Sequence, residues 1–110
     1  MNAEPIARLR ALCDGPRDGA LLRFSLGNAL LAAAAPGAAA AEFRRAVEFD
    51  PDYSAAWKLL GRALVEAGDP VLARWAWSDG IAVAQCAGDV QAQKEMQVFI
   101  KRLDKPGGNG

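Results

Sequence analysis

An internal repeat with an offset of 34 residues is the feature that most constrains the fold of this chain. Residues 20–53 read ALLRFSLGNALLAAAAPGAAAAEFRRAVEFDPDY, and residues 54–87 read SAAWKLLGRALVEAGDPVLARWAWSDGIAVAQCA. When the two segments are aligned, a Leu-Gly pair, an Ala-Leu pair, a proline, an alanine and an aromatic residue coincide. Self-similarity at a fixed period of this length is typical of a repeat architecture, in which each unit is one supersecondary element.

Each unit is predicted to contain two helices. In the second unit, apolar residues at helical spacing are interrupted by Gly68-Asp69-Pro70 and then resume, which indicates two helices separated by a turn. The resumed stripe comprises Ala73, Ala76, Trp77, Gly80, Ile81 and Ala84. Asp50-Pro51 ends the first unit, because a residue that precedes proline is disfavoured in helical geometry. The next helix is therefore expected to begin at Tyr53 or Ser54.

Gly27 and Gly61 occupy the same position in the two units, in the middle of a predicted helix. A glycine there costs about 1 kcal/mol relative to alanine, and close approach of the paired helix is a compensating reason. Trp57 and Trp77 are then expected to be large core residues that lock the hairpins together. None of these residues needs to contact a ligand.

These units resemble the tetratricopeptide repeat family, whose unit carries W-x2-L-G-x2-Y followed by a small residue, an aromatic residue, a second small residue and a proline. The second unit matches at Trp57, Leu60, Gly61, Ala73, Trp77 and Gly80, and has Leu64 in place of the tyrosine. The first unit has Arg23 in place of the tryptophan but keeps Leu26, Gly27, Leu30, Ala39, Phe43, Ala46 and Asp50-Pro51. The resemblance implies an all-α fold, a short right-handed α-solenoid of antiparallel helix hairpins.

The flanking residues follow the same register and complete one predicted domain over residues 1–104. Residues 1–19 are expected to form half a repeat and a loop, with Leu9 and Leu12 facing inward. Residues 20–53 and 54–87 are the two repeats, and the last helix of the second repeat is expected to extend to about Ala87. Residues 88–104 are predicted to form a capping helix with a polar outer side. Six helices result, and the Gly-rich residues 105–110 are expected to be a disordered tail.

Composition argues against several classes of function. The chain has 13 basic and 13 acidic residues, so it lacks the basic surplus that nucleic-acid binding needs. Histidine is absent and the two cysteines, Cys13 and Cys86, are far apart, so neither a zinc site nor a histidine-based catalytic centre is expected. We predict no metal, no cofactor and no enzyme activity.

The location predicted from the sequence is cytoplasmic. The apolar segment at residues 24–42 is preceded by acidic residues and is interrupted by Pro36-Gly37, so it suits neither a signal peptide nor a membrane span. Cys13 and Cys86 are accordingly expected to be reduced thiols in the core.

The resemblance implies that the first helix of each repeat lines a concave groove that binds a peptide or protein segment. Its candidate contacts are Phe24, Asn28, Leu31, Lys58, Arg62 and Val65. Lys58 and Arg62 lie one helical turn apart and together could hold an acidic group of the partner. Asn28 could bond a peptide backbone, and Phe24 and Leu31 could accept an apolar residue. The alternative is that the charges are merely solvated and that Phe24 and Leu31 pack under the N-terminal helix.

Some members of the family grip a C-terminus with a carboxylate clamp, and this chain matches that clamp poorly. Asn28 fits one clamp position, but Phe24 and Leu59 stand where lysine and asparagine are expected.

Trp75 lies off the buried stripe of its helix, where the first repeat has Ala41. Together with Leu72 it could form an apolar contact surface on the convex side, or it could pack against the end of its own unit or against the cap. Because two repeats fall short of the three or so that usually sustain such a stack, a self-associating homodimer without a peptide ligand is the alternative function. RNA binding by helical repeats would require a basic stripe, which the sequence lacks.

Overall fold

The computed structural model describes residues 3–105, which form six α-helices and no strand. The helices are α1 (Ala3–Leu12), α2 (Ala20–Ala32), α3 (Pro36–Phe49), α4 (Ser54–Glu66), α5 (Pro70–Ala87) and α6 (Val90–Asp104). The expected all-α class with six helices is thereby confirmed. The tail predicted at 105–110 falls outside the described residues apart from Lys105.

The helices stack in chain order because the turns between them are short. α2 packs on α3 and α4 on α5 as hairpins, while α3 packs on α4 and α5 on α6 to join the hairpins. Ser54 at the start of α4 donates a 2.8 Å hydrogen bond to Asp89, the residue before α6, so these two helices begin side by side. The stack measures 41 × 32 × 19 Å.

The close approach predicted at the two mid-helix glycines is confirmed. A Cβ on Gly27 would lie 2.6 Å from Phe43 Cε1, and a Cβ on Gly61 would overlap the Trp77 indole. The Trp77 ring is fixed in place, since its Nε1 donates a 2.9 Å hydrogen bond to the Lys58 carbonyl. Each hairpin therefore closes by seating an aromatic ring of its second helix on a glycine of its first.

Alanine makes up much of the core and keeps the helices close together. Leu26, Phe43, Leu60 and Met96 are its largest fully buried side chains. The alanines with no exposed surface are Ala39, Ala46, Ala56, Ala63, Ala73, Ala76 and Ala84. Side chains this small let neighbouring helices approach while the few large residues fill the space between layers.

The starts of the helices differ between the two repeats. Asp69 caps α5 by accepting a 3.1 Å hydrogen bond from the Leu72 amide, and Asp89 caps α6 by accepting one from Ala92. α2, α3 and α4 follow Gly19, Ala35 and Tyr53, which provide no side-chain cap. The second helix of the second repeat therefore has a better-satisfied start than the second helix of the first repeat.

Two expectations about burial are wrong. Leu12 is 39% exposed, because the buried face of α1 runs through Ile6, Leu9 and Cys13, and Leu12 lies off that line. Cys86 is exposed near the end of α5 and is not part of the core. Both thiols are free. Between residues 3 and 105 no helix is long and apolar enough to cross a membrane.

Candidate functional site

The first half of the predicted groove contains an aromatic cluster. Phe24 on α2 lies 4.8 Å from the ring of Tyr53 and 5.7 Å from that of Phe43, measured between centroids. Phe24 therefore fills space between α2 and the start of α4. Burial in this cluster raises the pKa of Tyr53. On the same helix Leu31 is half-buried and Asn28 is exposed.

In the second half of the groove, Lys58 and Arg62 do not form a free pair of cations. Lys58 Nζ donates a 2.9 Å hydrogen bond to Glu95 Oε1 on α6. This bond lowers the pKa of the Glu95 carboxyl. Arg62 is exposed and bonds Glu66 on its own helix at 3.1 Å. The two predicted acid-binding cations are thus each compensated within the chain, and by different glutamates.

An open furrow runs between α4 and α6, and the residues of these ion pairs line part of it. It consists of three adjoining cavities of about 260, 250 and 270 Å³. The furrow is defined by its lining residues, which are Lys58, Leu59, Arg62, Val65, Glu66, Trp77, Glu95, Phe99, Arg102 and Leu103. Phe99 takes part in all three cavities and packs on Trp77 with ring centroids 5.1 Å apart. The furrow therefore has an aromatic floor and charged sides.

Trp75 packs against side chains of two neighbouring helices. Its ring meets Trp57 edge-on at 5.7 Å, and the Arg44 guanidinium lies over it at 5.3 Å. These two neighbours lie on α4 and α3. Trp75 remains 38% exposed beside Leu72 and the 78% exposed Val71.

Arg23 is the one buried charged residue in the described part of the chain, and it occupies the position that Trp57 has in the second repeat. Its guanidinium grips Asp18 through two hydrogen bonds, of 2.9 and 2.8 Å, and donates to Glu42 at 3.0 Å. A third carboxylate, that of Asp14, lies 3.3 Å away. These bonds tie the α1–α2 loop to α2 and α3. They hold the pKa of Asp18 far below its usual range.

No group of three or more metal-ligating side chains lies together within residues 3–105. Every buried side-chain nitrogen or oxygen there has a hydrogen-bond partner. The furrow offers apolar surface and charged side chains for noncovalent contact.

Comparison with known proteins identifies the architecture. The TPR repeat-containing protein PA0015 of Pseudomonas aeruginosa is 53% identical over 88 residues, which are 80% of this chain and 84% of that protein. The chain belongs to the tetratricopeptide repeat (TPR) family. The solution structure of protein BPP2914 from Bordetella parapertussis has a TM-score of 0.75 and 46% identity, covering 89% of this chain and 85% of that one. No protein-family model matches the chain.

Within the TPR architecture α6 has the register of a first helix. The seventh residues of α2, α4 and α6 are Leu26, Leu60 and Met96, and all three are fully buried. The eighth residues are Gly27, Gly61 and Gln97. Gln97 thus has a side chain where α2 and α4 have glycine, and the capping role of α6 stays a prediction.

The same register explains the furrow and why Phe99 and Arg102 were missed from the sequence. The tenth residues of α2 and α4 are Ala29 and Ala63, whereas α6 has Phe99 there. The polar outer side of α6 indicates only a cap, and the helix starts 36 residues after α4 instead of 34. Counting from the cap residue Asp89 was the signal that could have placed Arg102 in the groove, because Arg102 then aligns with Glu66. Phe99 aligns with the buried Ala63, so no signal in the sequence placed it there.

Proposed function

We propose that this chain is a non-catalytic, cytoplasmic module that binds a peptide or protein segment along its concave side. Membership of the TPR family supports a general role in protein interaction. The observation that carries the proposal is the open furrow, where exposed apolar surface of Val65 and Phe99 lies between charged side chains. A concave apolar floor with a few polar groups is the usual form of a recognition site.

The contacts within the chain favour one part of the groove over the other. Phe24 and Tyr53 fill the interface between α2 and α4, so Phe24 serves packing first. Lys58 holds α6 through Glu95. Arg62 and Val65 are the predicted contacts that line the furrow, while Asn28 and Leu31 would meet a segment that continues across α2.

The test is affinity capture from lysate of the source organism, with wild type and two variants that carry the same substitution on opposite sides. Val65→Asp places a charge in the furrow, and Val71→Asp places one on the convex side, where Val71 is 78% exposed. We expect a bound protein to be retained by wild type and Val71→Asp and lost with Val65→Asp, once circular dichroism shows all three to be helical. Equal capture by all three would contradict the furrow as the binding site.

Self-association is a second candidate, favoured by the apolar surface that Val71, Leu72 and Trp75 expose at the start of α5. A homodimer through this surface would have twice the chain mass of 11.6 kDa in light scattering. Val71→Asp should return it to the monomer. It is a cleaner variant than Trp75→Ala, because Trp75 also packs on Trp57 inside the chain. A wild-type mass of 11.6 kDa at high concentration would end this hypothesis.

A further inference from the structure

The charges along the furrow are compensated at one end and not at the other. Lys58 pairs with Glu95 and Arg62 with Glu66, at 2.9 and 3.1 Å. Arg102 lines the opposite end, and within residues 3–105 no carboxylate lies within ion-pair distance of it. Asp104, two residues away, is bonded to Arg74 on α5. The Arg102 end therefore carries an uncompensated positive charge.

This cation lies beside an apolar part of the furrow. Arg102 shares a cavity of about 250 Å³ with Val65, Trp77, Phe99 and Leu103. That volume is below the roughly 300–1,000 Å³ of sites for drug-sized ligands, and it suits one apolar side chain. An apolar group and a carboxylate presented by neighbouring residues would meet Val65, Phe99 and Arg102 together.

We propose that the furrow selects a protein segment in which an apolar residue is flanked by aspartate or glutamate. Arg102 is the residue that binds the carboxylate of that aspartate or glutamate. This inference rests on the proposed function and adds the chemistry of the partner. The apolar side chain packs on Val65 and Phe99, and the guanidinium of Arg102 donates to the neighbouring carboxylate, a pairing that guanidinium geometry favours.

Two other anionic occupants are less suited to the furrow. Capture of a chain terminus uses a nest of several converging donors, whereas this end of the furrow has one arginine. Nucleic acid would need a row of cations, whereas Glu66 and Glu95 line the same furrow and the whole chain has zero net charge. An acidic side chain in the middle of a segment is the occupant that the charges favour.

The probes are three octapeptides, N-acetylated and C-amidated so that no terminal charge contributes. They carry Glu-Phe-Glu, Gln-Phe-Gln or Lys-Phe-Lys at the centre of one Gly-Ser frame, and a dT oligonucleotide tests the nucleic-acid alternative. Binding is followed by the backbone amide shifts of the ¹⁵N-labelled full chain, which also show whether each variant is folded. The Glu-Phe-Glu peptide should shift Val65, Phe99 and Leu103, and the Gln-Phe-Gln peptide should bind about fivefold more weakly.

Two variants assign the preference to one arginine. Arg102→Gln should bind both peptides equally, whereas Arg17→Gln, which removes an exposed arginine from the α1–α2 loop, should keep the full preference. Raising the salt concentration should shrink the difference between the Glu and Gln peptides in wild type.

The outcomes separate this inference from the function on which it rests. If all three peptides shift the amide signals of the furrow residues with equal affinity, the furrow binds segments without preferring acidic ones. That result overturns the inference and leaves the proposed function intact. A preference that survives in Arg102→Gln also overturns it, because another cation reads the acid. Shifts caused by the oligonucleotide and by no peptide, or no shifts at all, overturn both the inference and peptide binding in the furrow.

Discussion

The two repeats fill the same position in opposite ways, with Arg23 in the first and Trp57 in the second. Arg23 is 7% exposed and holds carboxylates from the α1–α2 loop and from α3. Trp57 is 8% exposed, donates a 2.8 Å hydrogen bond to the Pro51 carbonyl and packs on Trp75. The scaffold thus accepts either an aromatic ring or an ionic cluster there, provided that the preceding segment supplies matching groups. Arg23 holds the α1–α2 loop and α3 to α2, whereas Trp57 holds the turn at Pro51 and the α5 residue Trp75.

The next position in the helix shows a second contrast. Phe24 packs on Tyr53, whereas its counterpart Lys58 pairs with Glu95. At this position the first junction between repeats therefore has an aromatic contact, while the second has an ion pair and places its aromatic contact, Trp77 on Phe99, elsewhere. The two junctions thus differ in side-chain type at the same helix position.

The largest expected effect is the loss of Trp57, which tests the aromatic side of the contrast. Trp57→Ala should lower the free energy of unfolding by about 3–5 kcal/mol, because a buried ring and its cavity are involved. Urea denaturation followed by circular dichroism measures this. The loss should be the same at pH 7 and pH 4, since no titratable group pairs with the indole. A loss below about 1 kcal/mol would show that Trp57 is not a core residue.

Removing Arg23 tests the ionic side of the contrast and should lower the free energy of unfolding slightly less than Trp57→Ala does. Arg23→Met leaves Asp18 and Glu42 without their cation, and breaking a buried pair in this way costs about 3 kcal/mol. Adding Asp18→Asn and Glu42→Gln to Arg23→Met should recover most of the loss in the same urea experiment. If the triple variant is as unstable as the single one, the arginine contributes through packing and not through charge.

The Arg23 cluster also predicts how stability depends on pH. The pKa of Asp18 is lowered in the folded chain from its ordinary value of 3.8, chiefly by its hydrogen bonds with Arg23. A depressed folded pKa stabilises the chain above the unfolded pKa, and this contribution is lost as the pH falls below about 4. The destabilisation by Arg23→Met should therefore shrink between pH 5 and pH 2. A constant difference across that range would contradict the ionic account.

A smaller loss of stability is expected from changing the mid-helix glycine, which both hairpins use to seat an aromatic ring. Gly61→Ala forces a methyl group into the Trp77 indole and should destabilise by about 2 kcal/mol, despite the better helix propensity of alanine. Gly37→Ala near the start of α3 meets nothing within 4 Å and should be neutral or slightly stabilising. Thermal unfolding of both variants gives the comparison. Equal melting temperatures would mean that the glycine is not needed for close approach.

The smallest effect concerns the helix starts. Asp69→Ala places alanine before α5, as Ala35 stands before α3. It should lower the free energy of unfolding by about 1 kcal/mol, because the hydrogen bond from the Leu72 amide is lost. The same thermal scan detects it. A loss well above this value would mean that Asp69 has a further partner in the fold.

The helices and their pairing were predictable because period, glycine and aromatic positions recur at a fixed offset. The candidate site was less predictable, since its contacts join residues with no shared period. Lys58 meets Glu95 at a separation of 37 residues, and the partners of Arg23 come partly from an irregular loop. Arg102 lies beyond the reach of the 34-residue alignment, because α5 is 18 residues long and α3 is 14.

The Arg23 cluster also bears on how a chain of similar hairpins assembles in the correct order. Hairpins with interchangeable apolar surfaces can dock on the wrong neighbour, a common failure of repeat proteins. If the second hairpin took the place of the first, Trp57 would face the carboxylates of the α1–α2 loop, and Arg23 would keep Glu42 but lose Asp18 and Asp14. Leaving the half-buried Asp18 carboxylate against an indole without its cation is more costly than exchanging one apolar contact for another. Arg23 thus favours docking of the α2–α3 hairpin, and not of the α4–α5 hairpin, next to the α1–α2 loop.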